Sequence, residues 1–133
     1  IPLTHRDHAQ AVTFVTGHKG DGDARDVDWS ALARSGATLA VYMGVGGAGR
    51  IASDLSSHGL ADRPVAVIEN GSRPDQRVLT GRLGDLDAIV RAGGVAGPAL
   101  IIIGDVASLA QMGGTGVASS PAEAQAARLA AAV

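Results

Sequence analysis

The sequence predicts an α/β domain: a layered structure with a largely parallel or mixed sheet of about five strands flanked by helices. Three observations carry that reading. Apolar or alternating runs of strand length recur at residues 11–16, 37–43, 64–68, 77–82 and 99–103. Between them lie stretches with apolar residues at helical spacing, such as Ile51, Ala52 and Leu55, and alternating strands and helices are the pattern of layered α/β folds. The chain has 133 residues, which fits one modest domain, since single domains run to roughly 100–200 residues.

The elements follow in order. Residues 11–16 alternate and carry β-branched side chains, so a strand is expected to end at Gly17-His18. Residues 19–28 are rich in Gly and Asp and read as a loop. Asp28 can cap a short helix over 29–34, which Ser35-Gly36 closes. A mostly apolar strand over 37–43 then stops at a glycine cluster, and a helix over 48–58 ends at Gly59. The strand at 64–68 runs into the turn Glu69-Asn70-Gly71-Ser72, followed by a strand at 77–82 and a helix over 86–91 stopped by Gly93-Gly94. Residues 99–103 are continuously apolar, as expected of a strand buried on both faces. Beyond Met112, the Gly- and Ser-rich stretch and the alanine-rich residues 122–133 read as a tail, flexible or marginally helical, leaving 1–112 as the folded unit.

Composition narrows the function classes. Of the hydrophobic 46% much is alanine, and aromatics make up 2%, so packing rests on Val, Ile and Leu. The absence of cysteine removes thiolate nucleophiles, thiolate metal sites and disulfides, which suits a reducing cytoplasm. A net charge of −2 with Lys19 as the lone lysine argues against a nucleic-acid surface, which needs clustered phosphate-neutralising cations. The apolar runs are far below the ~20 residues of a membrane-spanning helix, so no membrane partner is expected. The first residue is Ile and no charged stretch precedes an apolar one, so the start reads as a boundary within a longer protein and not as a signal peptide.

Among the motifs, Gly44-Val45-Gly46-Gly47-Ala48-Gly49 satisfies GxGxxG between a predicted strand and a predicted helix, and Glu69 follows at the end of the next strand. Taken alone, this is a dinucleotide fingerprint: glycines let the backbone approach a pyrophosphate, the helix N-terminus stabilises its charge, and the acid binds the ribose. It supports an alternative reading as the NAD-binding half of an oxidoreductase. His5, His8 and His18 lie on irregular chain and lack the fixed spacing of a metal-binding helix, so no metal is expected. The acidic loop residues Asp21, Asp23, Asp26 and Asp28 lack the terminal bidentate Glu of a calcium-binding EF-hand. No GxSxG elbow supports hydrolase chemistry.

Five segments together carry a family resemblance. They are Ile1-Pro2-Leu3-Thr4-His5-Arg6, Val15-Thr16-Gly17-His18, Tyr42-Met43-Gly44, the run from Pro64 to Gly71 with Gln76-Arg77-Val78, and the run from Pro98 to Gly104. In this order and at this spacing they resemble the C-terminal half of a uroporphyrinogen-III C-methyltransferase, of the tetrapyrrole methylase family, over residues 1 to about 109. The glycine cluster after Gly44 departs from the family, which carries longer side chains there. The resemblance implies a second α/β lobe, S-adenosyl-L-methionine as cofactor with S-adenosyl-L-homocysteine as its product, and cofactor contacts at Tyr42, Met43, Gly44, Gly71 and Ala99. It places Thr4, His5 and Arg6 beside the tetrapyrrole substrate. The implied reaction is C-methylation of uroporphyrinogen III to precorrin-2, at the branch toward sirohaem and cobalamin. The family's glycine-rich first loop and its acid/base candidates belong to an N-terminal lobe, so this chain holds no catalytic residue, needs that lobe as a partner and is expected to be inactive alone. Family members are homodimers, and a non-catalytic dimerisation lobe is a further alternative.

Overall fold

The computed structural model describes residues 1–18, 26–112 and 117–118. Six strands form one sheet among these residues: β1 (Val12–Thr16), β2 (Thr38–Tyr42), β3 (Pro64–Glu69), β4 (Arg77–Arg82), β5 (Ala99–Ile103) and β6 (Val117–Ala118), in spatial order β1-β2-β5-β3-β4-β6. Three helices accompany them, α1 (Trp29–Ser35), α2 (Ala48–Leu55) and α3 (Leu86–Ala92), and a 3-10 segment, Asp105–Met112, follows β5.

The helices begin and end where local chemistry dictates. Asp28 Oδ1 accepts a hydrogen bond from Ala31 N at 2.8 Å, satisfying one of the free donors of the first turn of α1. Gly36, at φ 67°, closes that helix in the left-handed conformation that costs glycine least. The expected helix over 48–58 is shorter: α2 ends at Leu55 and continues as a π turn, Ser56–Leu60, which Gly59 breaks at φ 82°.

The sheet is mixed, one of the two forms expected of it, and its parallel pairs are confined to its two ends. Only β1 with β2 and β4 with β6 pair in parallel, while β5 is antiparallel to both β2 and β3. The β3–β4 hairpin is the reason for the direction of β5. Once β4 reverses direction, the crossover through α3 delivers β5 along β4, and β5 inserts between β2 and β3 against both. A continuous apolar run reports burial on two faces and carries no information on strand direction.

Alternation along the strands divides the core in two. Leu39, Val41, Val65, Val67, Ile101 and Ile103 point to the helix face and pack with Ile51, Leu55, Leu86 and Ile89. Ala40, Ala66 and Ile102 point the other way, where Val106 and Ala107 of the 3-10 segment and Ala9 of the N-terminal stretch cover them. That second covering is partial: Phe14, Tyr42 and Met43 remain exposed. The residues proposed as a tail, 113–133, lie outside the described residues apart from 117–118, which pair with Val78 and Leu79. No helix among the described residues is long and apolar enough to cross a membrane.

Candidate functional site

One edge of the sheet collects the cofactor residues named from the sequence. β1, β2 and β3 end there while β4 and β5 begin there, because the register pairs Thr16 with Tyr42, Tyr42 with Leu100, and Glu69 with both Ala99 and Arg77. Tyr42, Met43, Gly44, Gly71 and Ala99, far apart in the sequence, therefore line a single rim.

The geometry at each of them is specific. Met43 takes φ 51° and is 63% exposed, so it follows β2 with its thioether side chain in the open and not as a core residue. Gly44 is buried; a Cβ there would stand 3.0 Å from Ile101 Cδ1 and from Val41 Cγ1. Gly17 is tighter still, with its Cβ position 2.6 Å from the Cα of Gly44, so the ends of β1 and β2 touch backbone to backbone. Gly71 sits in a turn whose neighbours Asn70 and Ser72 both have positive φ, at 52° and 66°.

Glu69 anchors the rim. It is 4% exposed, yet every lone-pair direction it needs is met. Its Oε1 accepts from Ala96 N at 2.9 Å and Gly97 N at 2.8 Å, and its Oε2 accepts from Arg77 Nε at 2.7 Å and from the Arg77 Nη2. The Gly97 amide above all, then the Ala96 amide and the Arg77 guanidinium, hold its carboxyl below the ordinary value of 4.5 against the opposing effect of burial.

This geometry removes the ribose-binding role that the dinucleotide reading gives Glu69, whose oxygens are already committed inside the fold. Two glycines of the cluster, Gly44 and Gly49, have packing tasks of their own. Gly44 fits under the sheet, and Gly49 lets α2 approach Asp87 of α3, whose Oδ1 would lie 3.3 Å from an added Cβ. Between β2 and β3 the fold places antiparallel β5, whereas the dinucleotide unit pairs its first two strands side by side.

On the sheet face away from the helices, the N-terminal stretch and the 3-10 segment bound an open groove of about 560 Å³, lined by His5, His8, Ile68, Gln76, Val78 and Leu109 among others. His5 and His8 pack ring to ring at 4.9 Å, and the His5 Nδ1 accepts from Asp7 N at 3.2 Å. Of the three substrate-side residues named from the sequence, His5 reaches the groove, while Thr4 and Arg6 are exposed beside it. The groove meets the rim at Gln76, whose Oε1 accepts from Ser72 N at 2.7 Å. The sequence gives no place at this site to His8 or Gln76, and it offers Glu69 only as a ribose-binding acid, never as the partner of Arg77. Gln76 and Arg77 stood only as matched positions, and no spacing rule tells a buried carboxylate from a strand-end one.

Within the described residues no group of three or more His, Cys, Asp or Glu side chains is placed to hold a metal ion. The rim instead offers apolar side chains and backbone groups without formal charge, a donor set suited to an adenosine moiety.

A mixed sheet with helices packed on one face, and a rim of apolar side chains and backbone groups at the strand ends, defines an α/β lobe with a candidate binding edge. The sequence model of the tetrapyrrole (corrin/porphyrin) methylases matches residues 1–87, and the chain belongs to that family. It is similar to the siroheme synthase of Pseudoalteromonas translucida (strain TAC 125), 56% identical over 113 residues, which are 84% of this chain and 24% of that protein. It is also similar to siroheme synthase 1 of Yersinia enterocolitica, 54% identical over 111 residues, 82% of this chain and 23% of that protein. The chain thus spans about a quarter of the length of these relatives. Among solved structures, the uroporphyrin-III C-methyl transferase from Thermus thermophilus complexed with S-adenyl homocysteine superposes with a TM-score of 0.66 at 34% identity, over 81% of this chain and 48% of that one. The cobalamin biosynthetic enzyme cobalt precorrin-4 methyltransferase gives 0.69 at 23% identity, over 77% of this chain and 44% of that one, and shares the fold.

Proposed function

We propose that this chain is the C-terminal, cofactor-binding lobe of an S-adenosylmethionine-dependent enzyme that C-methylates uroporphyrinogen III to precorrin-2, toward sirohaem and cobalamin, and that it is inactive without its N-terminal lobe. The observation that carries the reading is the rim: Tyr42, Met43, Gly44, Gly71 and Ala99 come together at one sheet edge. The relatives' names and the S-adenyl homocysteine in the Thermus enzyme support it.

Bound S-adenosylmethionine would supply an electrophilic methyl group on its sulfonium. This chain's part is to bind and to orient. Met43 and Tyr42 offer apolar surface to the adenosine, and the Asn70–Gly71 turn offers backbone close to the ligand. The groove beside the rim, with His5 and His8 on its wall, would receive part of the macrocycle and one of its carboxylates. Positioning of this kind can supply several kcal/mol of barrier lowering, of the order seen in proximity effects. The protein works as a homodimer in a reducing cytoplasm in this reading.

The test is calorimetric titration with S-adenosylhomocysteine and, separately, NAD(H), on this chain alone and with the first lobe of a family member supplied in trans. Binding of S-adenosylhomocysteine that strengthens when the first lobe is added, with no NAD(H) response, is the expected result. NAD(H) binding by the lone chain would overturn the reading, and methyl transfer by the lone chain would overturn its inactivity.

A further inference from the structure

We propose that the Glu69–Arg77 pair is the positioning device of the cofactor rim: it locks residues 96–98 against the Asn70–Gly71 turn, so that Gly71 and Ala99 meet the ligand already arranged. The inference rests on the reading of the rim as the S-adenosylmethionine site.

Two loops flank the rim on this side, the turn after β3 and the connection from α3 into β5. Neither has a helix or strand of its own to fix it. Glu69 is the last residue of β3, and its Oε1 reaches across to accept both the Ala96 and the Gly97 amides. Arg77, paired with Glu69 in the β3–β4 register, holds the other oxygen with two of its guanidinium nitrogens. A third nitrogen of Arg77 donates to the Gly93 carbonyl at 3.0 Å, so one side chain binds both the carboxylate and the start of the same loop.

The loop so held is pressed against the turn. Asn70 N donates to the Pro98 carbonyl at 2.9 Å, and the Cβ position of Gly97 lies 2.6 Å from Asn70 Oδ1, so any side chain at 97 would push Asn70 out of its place. Gly71 and Ala99 each lie one residue beyond these contacts. The turn is braced on its far side by Asn70 Nδ2 on Asp75 at 2.9 Å and by Ser72 N on Gln76. A planar fork matched to a carboxylate fixes angle as well as distance, and a site held in its bound geometry avoids the ordering cost on binding.

Glu69→Gln and Arg77→Lys test the inference. The first keeps an acceptor for the two amides and removes the ion pair. The second keeps the cation and removes the fork, and so leaves a readable variant should the first not fold. Arg82→Gln serves as control, because its pair with Asp62 lies on the surface away from the rim. Affinity for S-adenosylhomocysteine is measured by calorimetry, with the first lobe present, at a temperature where circular dichroism shows each variant folded. The expected result is a Kd raised at least about tenfold for both variants and unchanged for the control, with faster amide hydrogen exchange at Gly97 and Asn70. A merely structural pair would lower Tm and leave the Kd of the folded protein where it was; that outcome overturns the positioning role and spares the cofactor reading. Failure of the unsubstituted chain to bind would overturn both.

Discussion

At the scale of single residues, Glu69 shows how a side chain can be misjudged from its position in the sequence. At a strand end after a glycine-rich loop it resembles a ribose-binding acid; in the fold it is a buried acceptor with four donors. Its identity as an acid was legible, but its role was not, because two of its donors lie 27 and 28 residues away on a loop with no distinguishing pattern. The consequence for stability has a definite sign. A carboxyl whose folded pKa lies below its ordinary value of 4.5 binds fewer protons folded than unfolded, so it stabilises the fold above that value. The contribution is lost as pH falls through the folded pKa. Thermal melts of the wild type are expected to lose Tm below about pH 4.5, and Glu69→Gln to show a lower Tm at pH 7 with a shallower fall into acid. Parallel curves for the two proteins would show that Glu69 gains nothing from its ionisation.

At the scale of elements, caps and terminators were the most legible features. Asp28 and Gly36 bound α1 where the sequence placed its ends, since a cap is chemistry among residues three or four apart. The 3-10 segment after β5 is not among the elements expected from the sequence, and it forms where the open sheet face needs Val106 and Ala107 as cover. The meeting of β1 and β2 at their ends was not foreseen either. Gly17 N donates to the Tyr42 carbonyl at 2.7 Å, and a Cβ at Gly17 would strike the Gly44 backbone. Backbone cannot rotate away as a side-chain tip can, so Gly17→Ala is expected to cost about 1–3 kcal/mol in chemical denaturation. It should also displace Met43 from the rim. A Gly17→Ala protein as stable as wild type would mean that the two strand ends separate at little cost.

At the scale of the whole molecule, the sheet carries helices on one face and incomplete cover on the other. On the less covered face Phe14 is 60% exposed and lies against Tyr42, ring centroids 6.3 Å apart, with Met43 exposed beside Tyr42. An apolar patch of this kind marks a contact surface. The chain alone is expected to self-associate with rising concentration in sedimentation velocity, and Phe14→Ser to shift it toward monomer with little change in Tm. A monomer at every concentration would show that the patch does not drive association. The sequence by itself determined where strands and helices form and how they are capped. Periodicity, β-branching and turn chemistry act over a few residues, so they survive without knowledge of the rest of the chain. Among the described residues, strands β1 to β5 and helices α1 to α3 were legible in this way. Tertiary structure alone decided that β5 inserts antiparallel between β2 and β3, that Glu69 faces inward to an amide pair, and that Gln76 joins groove to rim. Each of these depends on residues far apart in the chain competing for the same space, and that competition is settled only when the whole sheet closes against its helices.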